Sequence, residues 1–276
     1  MKLNIFDISK ILSPFIILVI ILLFISSCEK VIDIDFNSKS SQIVIEGNIT
    51  NQAGPHIIKV TQTVNYNETN NFPSITGAIV IMSDDAGNID TLYEASQGSY
   101  FSSTIQGTPG RTYTLKVKAN EMEYTATSFM NPPVNIDSIY SVVESLPNGS
   151  KRTLYVKYSD TEGINNYYRF VEVVNNDTLP AIFIADDLEQ DGETINLSLF
   201  SRGQDESDLK TGDTVTVVLQ TIDKGVYEYF RTLLQLSSGG IINQSTSPAN
   251  PLSNFNNGAL GYLNTCAVTS KTIVIP

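Results

Sequence analysis

The residues best suited to bind an ion lie in one acidic stretch, Asp187-Leu188-Glu189-Gln190-Asp191-Gly192. Acidic side chains at alternate positions followed by glycine are typical of a calcium loop, in which carboxylate oxygens are the ligands. The twelfth position is Ser198 rather than a bidentate glutamate, and the flanking residues predict strands instead of helices. Calcium at Asp187, Glu189 and Asp191 therefore stands beside the alternative of an acidic hairpin turn, and we expect no other cofactor.

Catalytic residue types are scarce in this chain. His56 is the sole histidine, and no serine or cysteine pattern that would mark a nucleophile surrounds it. We expect it to be an ordinary surface or hairpin histidine. One histidine and two cysteines provide few of the ligands that a zinc or iron site requires. We therefore expect a protein that is not an enzyme, with a hydrolase built on paired carboxylates as the less favoured alternative.

The first residues predict export. Lys2 and Lys10 supply a basic segment before an apolar stretch at 11–25, which is short for a bilayer span and typical of a signal peptide. It ends in Ser26-Ser27-Cys28, which resembles the bacterial lipobox. We expect residues 1–27 to be a lipoprotein signal peptide, Cys28 to be lipidated and residues 28–41 to be a tether. The alternative is an uncleaved signal anchor.

Charge and cysteine content restrict the partners and the compartment. The formal net charge is −12, which argues against nucleic acid as a partner because phosphates would be repelled. With Cys28 carrying lipid, Cys266 has no partner for an intramolecular disulfide. Cys266 lies in an apolar stretch, so we expect it to be a small core residue.

Short segments rich in Val, Ile, Thr, Tyr and Phe follow residue 41, separated by Gly, Asn, Asp and Pro. Alternation is clear at 112–119, where Tyr113, Leu115 and Val117 share one face. The strands predicted before residue 130 are 43–49, 56–64, 78–83, 90–94, 99–103, 112–119 and 124–129. Seven short strands in this length predict an immunoglobulin-like β-sandwich.

The second half is also rich in predicted strands. They are 138–144, 153–158, 167–174, 181–185, 195–200, 214–221 and a final strand at 271–275. Between the last two, Val226, Tyr229, Phe230 and Leu233 recur at helical spacing after Asp223, a residue suited to cap a helix. The sequence thus predicts one helix at about 224–236.

These patterns together predict a mainly β protein with two domains. Residues 42–130 form the immunoglobulin-like β-sandwich, and the proline-containing segment 131–135 is a linker. Residues 136–276 form a second β-rich domain that carries the helix.

Several segments, in this order, resemble the domain-of-unknown-function 4249 family of outer-membrane lipoproteins from Bacteroidota. They are Cys28-Glu29-Lys30-Val31-Ile32-Asp33, Ile43-Val44-Ile45-Glu46-Gly47-Asn48-Ile49-Thr50, Gly77-Ala78-Ile79-Val80-Ile81, Asp84-Asp85-Ala86-Gly87-Asn88, Gly110-Arg111-Thr112-Tyr113-Thr114-Leu115, Asn166-Tyr167-Tyr168-Arg169-Phe170, the helix at 227–236, and Asn254 with Gly258-Ala259-Leu260-Gly261-Tyr262. The resemblance implies a lipid-anchored outer-membrane protein associated with a TonB-dependent transporter, and it supplies no catalytic residues.

Two functions are therefore expected from the sequence. The first is a non-enzymatic accessory or binding partner of a TonB-dependent transporter in nutrient uptake, on either face of the outer membrane. The polar and aromatic loop at 65–73, with Tyr66 and Phe72, is the predicted contact surface. The second is a structural or adhesive envelope lipoprotein without a small-molecule ligand.

Overall fold

The computed structural model describes residues 41–65, 68, 71–146, 149–200, 209–237 and 250–276. Within them the first seven strands are β1 (Ile43–Thr50), β2 (Ile57–Gln62), β3 (Ile79–Asp84), β4 (Ile89–Ser96), β5 (Ser99–Phe101), β6 (Thr112–Ala119) and β7 (Met122–Phe129). The remaining elements are β8 (Ile136–Leu146), β9 (Gly149–Ser159), β10 (Tyr167–Val174), β11 (Asp177–Thr178), β12 (Phe183–Asp186), β13 (Thr194–Leu199), β14 (Thr214–Ile222), helix α1 (Lys224–Ser237) and β15 (Leu260–Val274).

The mainly β fold with a single helix in the described residues confirms the predicted class. Each predicted strand that falls in the described residues is present, with ends shifted by a few residues. The sequence missed the two-residue strand β11 and most of β15. For β15 it predicted only the end of the strand, at 271–275. The predicted signal peptide and tether lie outside the described residues.

The N-terminal strands form a sandwich from one sheet that bends back on itself. The strand order is β11-β10-β14-β15-β1-β2-β5-β4-β3-β6-β7, with β12 beside β10. Ile45 and Ile58 from one part of this sheet share a core with Val80 and Leu115 from the other part. Strict alternation of buried and partly exposed residues along β1 produces this inward face.

A second core lies between this sheet and a smaller one. The smaller sheet has the order β13-β9-β8. Its residues Val156 and Tyr158 pack with Phe170 of β10 and Val217 of β14. The ring of Tyr158 lies 5.4 Å from that of Phe170, measured between centroids. Aromatic and β-branched residues thus fill the space between the two sheets.

Strand β15 joins the two halves. It pairs with β1 in parallel, from Val44↔Leu260 to Thr50↔Cys266, and with β14 in antiparallel orientation. Residues 40–276 accordingly form one compact unit. Residues 131–135 have no regular secondary structure, and the division into two domains around them stays a prediction.

Helix α1 covers the outer face of β15. Asp223 caps it by accepting a hydrogen bond from Val226 N (2.8 Å), as predicted. Val226 and Phe230 pack against Cys266, which is fully buried as a small core residue. Burial raises the pKa of the Cys266 thiol to about 12. In the described part of the chain, no helix has both the length and the apolar character that crossing a bilayer requires.

Candidate functional site

Only part of the predicted contact loop at 65–73 lies in the described residues. Cys28 and Tyr66 lie outside the described residues. Phe72 is 52% exposed, just before a backbone hydrogen bond from Gln62 N to Pro73 O (3.0 Å) that fixes the end of the loop to β2. The structure thus places Phe72 where a partner could reach it.

Two of the three predicted calcium ligands meet a third carboxylate. Asp187 and Asp191 lie with Asp160 so that one oxygen from each falls within 4.8 Å of the others. Glu189 is not part of this group. Asp160 follows β9, and the backbone hydrogen bond from Asp160 N to Glu193 O (2.9 Å) holds it beside the acidic loop. These three side chains are the ones in this region that could hold a cation.

Hydrogen-bond donors already surround these carboxylates. Asp160 accepts hydrogen bonds from Tyr168 OH, from Asn166 Nδ2 (3.1 Å) and from Gly192 N (2.9 Å). Asp187 accepts one from Asn166 N (2.7 Å). Burial raises the pKa of Asp187, and the charges of the neighbouring aspartates add to this effect. The arrangement therefore fixes the two loops to each other, which is the role of a structural turn.

A groove lined by both polar and apolar residues lies on the outer face of the large sheet, at β1, β2 and β15. Its volume is about 390 Å³. It is lined by Glu46, Asn48, Pro55, His56, Ile57, Lys59 and Tyr262. Glu46 is paired in register with Lys59 of β2 and with Tyr262 of β15, so these three side chains leave the sheet together.

Hydrogen bonds order the floor of the groove. Asn48 Nδ2 donates to the Tyr262 hydroxyl (3.3 Å), and Asn264 Nδ2 donates to Asn48 Oδ1 (3.1 Å). The ring of Tyr229 from α1 packs on that of Tyr262, with centroids 4.7 Å apart. Burial raises the pKa of Tyr229 to about 12, and the Glu46 carboxylate contributes to this rise. Glu46 thus lies beside the aromatic pair.

His56 lies in the connection between β1 and β2, as a hairpin histidine would, but it is buried, so the alternative of a surface histidine was wrong. It is 6% exposed, and His56 N donates a hydrogen bond to Ser102 Oγ (2.8 Å). Its Nε2 atom is buried and has no hydrogen-bond partner among the described residues. Burial lowers the pKa of His56 below its ordinary value, so the imidazole is neutral at pH 7.

Glu46 and Lys59 carry the opposite charges of the groove. Although they are register partners, they form no ion pair with each other or with another residue in the described ranges. Lys59 is exposed and Glu46 is half-buried. Sequence reasoning missed both, because a charged residue on the polar face of a predicted strand looks like ordinary solvent-facing surface.

An exposed apolar row continues from the groove across the sheet. It consists of the exposed residues Ile57, Tyr93 and Ile79, on β2, β4 and β3, and of the half-buried Phe101 on β5. Register places Phe101 opposite both Ile57 and Tyr93. Val80 pairs with Leu92, so Ile79 lies opposite Tyr93. Tyr93 and Ile79 are each 53% exposed. Neighbouring strands therefore present a contiguous apolar surface to solvent.

Comparison with known proteins gives a family but no activity. A family model described as "Domain of unknown function (DUF4249)" matches residues 29–272. No curated protein matches the chain. Among solved structures, a two fibronectin type-III domain segment from chicken tenascin is 9% identical, with a TM-score of 0.23, over 85% of this chain and 99% of that one. Similarity at that level supports no conclusion about this chain.

Proposed function

The chain belongs to the DUF4249 family, and we propose that it is a non-enzymatic outer-membrane lipoprotein, anchored through Cys28, that binds a TonB-dependent transporter as an accessory in nutrient uptake. The observation that carries the proposal is the exposed apolar row of Ile57, Phe101, Tyr93 and Ile79. Aromatic and aliphatic groups aligned on neighbouring strands are typical of a protein-contact surface.

The rigidity of the sheet supports this role. The strand neighbours of the row, including Ile58 and Tyr100, are buried in the sandwich core. The backbone that carries the exposed side chains is therefore already ordered before a partner arrives, and little backbone entropy is lost on binding. Phe72 offers a further exposed aromatic group on the loop beside β2.

The surroundings of the polar groups support a non-enzymatic role. A carboxylate acid and base need access to substrate, yet Asp187 is 2% exposed and accepts a backbone hydrogen bond from Asn166. Asp160 is held by three donors in the same way. His56 also has no described nucleophilic side chain hydrogen-bonded to its ring.

Affinity purification from the native membrane tests the proposal. The tagged protein is extracted in a mild detergent, and the co-purifying proteins are identified by mass spectrometry. We expect a TonB-dependent transporter at near-equal amount. Replacing Tyr93 and Ile79 together by Thr keeps the strand propensity but removes apolar contacts, so recovery of the transporter should fall at least about tenfold.

Matched variants complete the design. Val143→Thr removes an equally exposed apolar group from β8, on the other sheet, and should leave recovery unchanged. Tyr66→Ala with Phe72→Ala tests the predicted loop contact, and unchanged affinity would remove that loop from the interface. Recovery of the lipoprotein alone, while other envelope complexes survive the detergent, would contradict the accessory role and favour a structural one.

A further inference from the structure

We propose that the groove formed by β1, β2 and β15 binds a small zwitterion, such as a free amino acid or a dipeptide, through its ammonium and carboxylate groups. As an assignment of the nutrient class, this inference rests on the proposed function. The binding site itself is argued from the groove alone.

The two charged side chains of the groove are placed for such a ligand. Glu46 and Lys59 are direct partners across the antiparallel β1–β2 ladder, and both line the groove. Side chains at directly opposed positions have Cβ atoms about 5 Å apart. An α-amino acid carries its ammonium and carboxylate on one carbon atom, so a single molecule can face both. Glu46 would accept hydrogen bonds from the ammonium, and Lys59 would donate to the carboxylate.

Both charges are available to a ligand. Neither Glu46 nor Lys59 is ion-paired with another residue of the described segments, although the two are direct partners across the ladder. Because the two side chains enter the groove side by side, each can turn toward a bound molecule without breaking an ion pair. The ligand therefore does not compete with an internal salt bridge.

The net charge of the groove selects against ions of a single sign. Glu46 and Lys59 cancel, and the imidazole of His56 is neutral at pH 7 because burial lowers its pKa. A simple anion or cation would match one side chain and be repelled by the other. An uncharged sugar would leave both charges without a partner while covering them from water. A zwitterion matches both.

Neutral polar groups complete the lining. His56 contributes to the wall of the groove, while its Nε2 atom is buried and has no hydrogen-bond partner among the described residues. Asn48 and Tyr262, which are hydrogen-bonded to each other, also line the groove. A volume of about 390 Å³ is at the lower end of small-molecule sites and suits an amino acid or dipeptide better than a polymer.

Calorimetric titration of the purified lipoprotein in detergent tests the inference. The probes are glycine, L-alanine, L-glutamate, L-lysine and glycylglycine, with N-acetyl-L-alanine amide as the matched compound that lacks both charges. We expect at least one zwitterion to bind and the blocked compound not to bind. Glu46→Gln and Lys59→Met should each weaken that binding by about tenfold or more.

Control variants and a second ligand class make the outcome decisive. Glu123→Gln and Lys116→Met alter exposed charges on β7 and β6, outside the groove, and should leave the affinity unchanged. The inference is overturned if no zwitterion binds at up to about 10 mM, or if Glu46→Gln and Lys59→Met have no effect. Binding of glucose or maltotriose in place of the amino acids would overturn it as well.

A parallel purification separates this inference from the proposed function. Glu46→Gln and Lys59→Met leave the apolar row intact and should still recover the transporter. If the native protein binds no zwitterion but still recovers the transporter, only the ligand assignment is overturned. If the native protein binds a zwitterion but does not recover the transporter, only the accessory role is overturned. Thermal unfolding followed by circular dichroism confirms that each variant is folded.

Discussion

At the scale of single residues, Asp90 shows how a buried charge can organise a turn. It is 3% exposed and accepts four hydrogen bonds: from Ser103 N and Ser103 Oγ (both 2.8 Å), from Thr104 N (2.8 Å) and from Ile105 N (3.0 Å). Burial raises the pKa of Asp90, but these donors outweigh it and lower the pKa to about 2. The carboxylate thus fixes the chain that leaves β5.

Asp90 should make the stability of the protein depend on acid pH. Its pKa is lower in the folded state than in the unfolded state, where it is about 3.9. Its stabilising effect is therefore complete above about pH 4 and is lost as the pH falls through about 2. We expect Asp90→Asn to lower the free energy of unfolding by about 2 kcal/mol at pH 7 and by much less at pH 2, measured by urea denaturation.

A matched variant distinguishes charge from packing. Asp177→Asn changes an exposed carboxylate at the start of β11 and should alter stability by less than about 0.5 kcal/mol at either pH. An equal loss for Asp90→Asn at pH 7 and pH 2 would mean that the shape of the side chain, and not its charge, holds the turn.

Residue types alone revealed only part of the candidate sites. Asp187 and Asp191 were predicted to lie together because they are neighbours in sequence. Asp160 could not be included, because only the pairing of β9 with β13 brings it to the acidic loop. Glu46 and Lys59 were not recognised either. Their proximity depends on the register of β1 and β2, which the sequence does not reveal.

At the scale of elements, Asp223 links the single described helix to the sandwich. One of its carboxylate oxygens accepts from Val226 N (2.8 Å) and caps α1, and the other accepts from Phe129 N in β7 (3.2 Å). We expect Asp223→Ala to lower the free energy of unfolding by about 2 kcal/mol, because both donors lose their partner. Asp223→Asn keeps an acceptor for the helix and should lose less than about 1 kcal/mol.

Chemical denaturation of the two variants checks this expectation. Burial raises the pKa of Asp223, so the native carboxylate is partly penalised by desolvation, which is a further reason for asparagine to be tolerated. Equal losses for Ala and Asn would show that the capping hydrogen bond contributes little.

The close approach of β1 and β15 depends on Gly261. Its φ is +91°, and a Cβ atom there would lie 2.0 Å from the carbonyl oxygen of Ile45. Gly261→Ala should therefore separate the two strands and lower the free energy of unfolding by more than about 3 kcal/mol. Gly225→Ala in the first turn of α1 meets only ordinary contacts and should be neutral or slightly stabilising, by up to about 1 kcal/mol. Thermal denaturation of both variants measures the difference.

Strand prediction succeeded where one face of a strand meets solvent and failed where neither does. Alternation in β1 and β6 follows directly from a single buried face. In β15, residues 263–267 are all buried, since the sandwich core covers one face and α1 or the other strands cover the second. The period of two is lost there, so the sequence indicated only the end of the strand.

At the scale of the whole molecule, the N-terminal sandwich is incomplete without the C-terminal segment. Phe255, Ala259 and Leu263 belong to the first hydrophobic core. Phe255 and Ala259 directly precede β15, and Leu263 lies in it. β15 also covers the edge of β1 that faces away from β2. The first core changes to the second between Met130 and Val134, within a residue of the predicted linker at 131–135, but the first core also takes in these C-terminal residues.

A fragment ending at residue 135 should fail to fold. It would expose the edge of β1 and lose the core contacts of Leu263, so we expect a spectrum of narrow, poorly dispersed amide signals in solution NMR. The chain from residue 41 to 276 should instead give a dispersed spectrum and one cooperative transition in urea. A well-dispersed spectrum from the fragment would show that the sandwich is an independent folding unit.

The parallel pairing of β1 with β15 has a consequence for biosynthesis. β1 is made before the other described strands, but its partner β15 is made after all of them. The sandwich cannot be complete until β15 has been made, and pairing between strands so distant in sequence is intrinsically slow. In this chain the order of strands therefore makes closure of the N-terminal sandwich wait for the synthesis of β15.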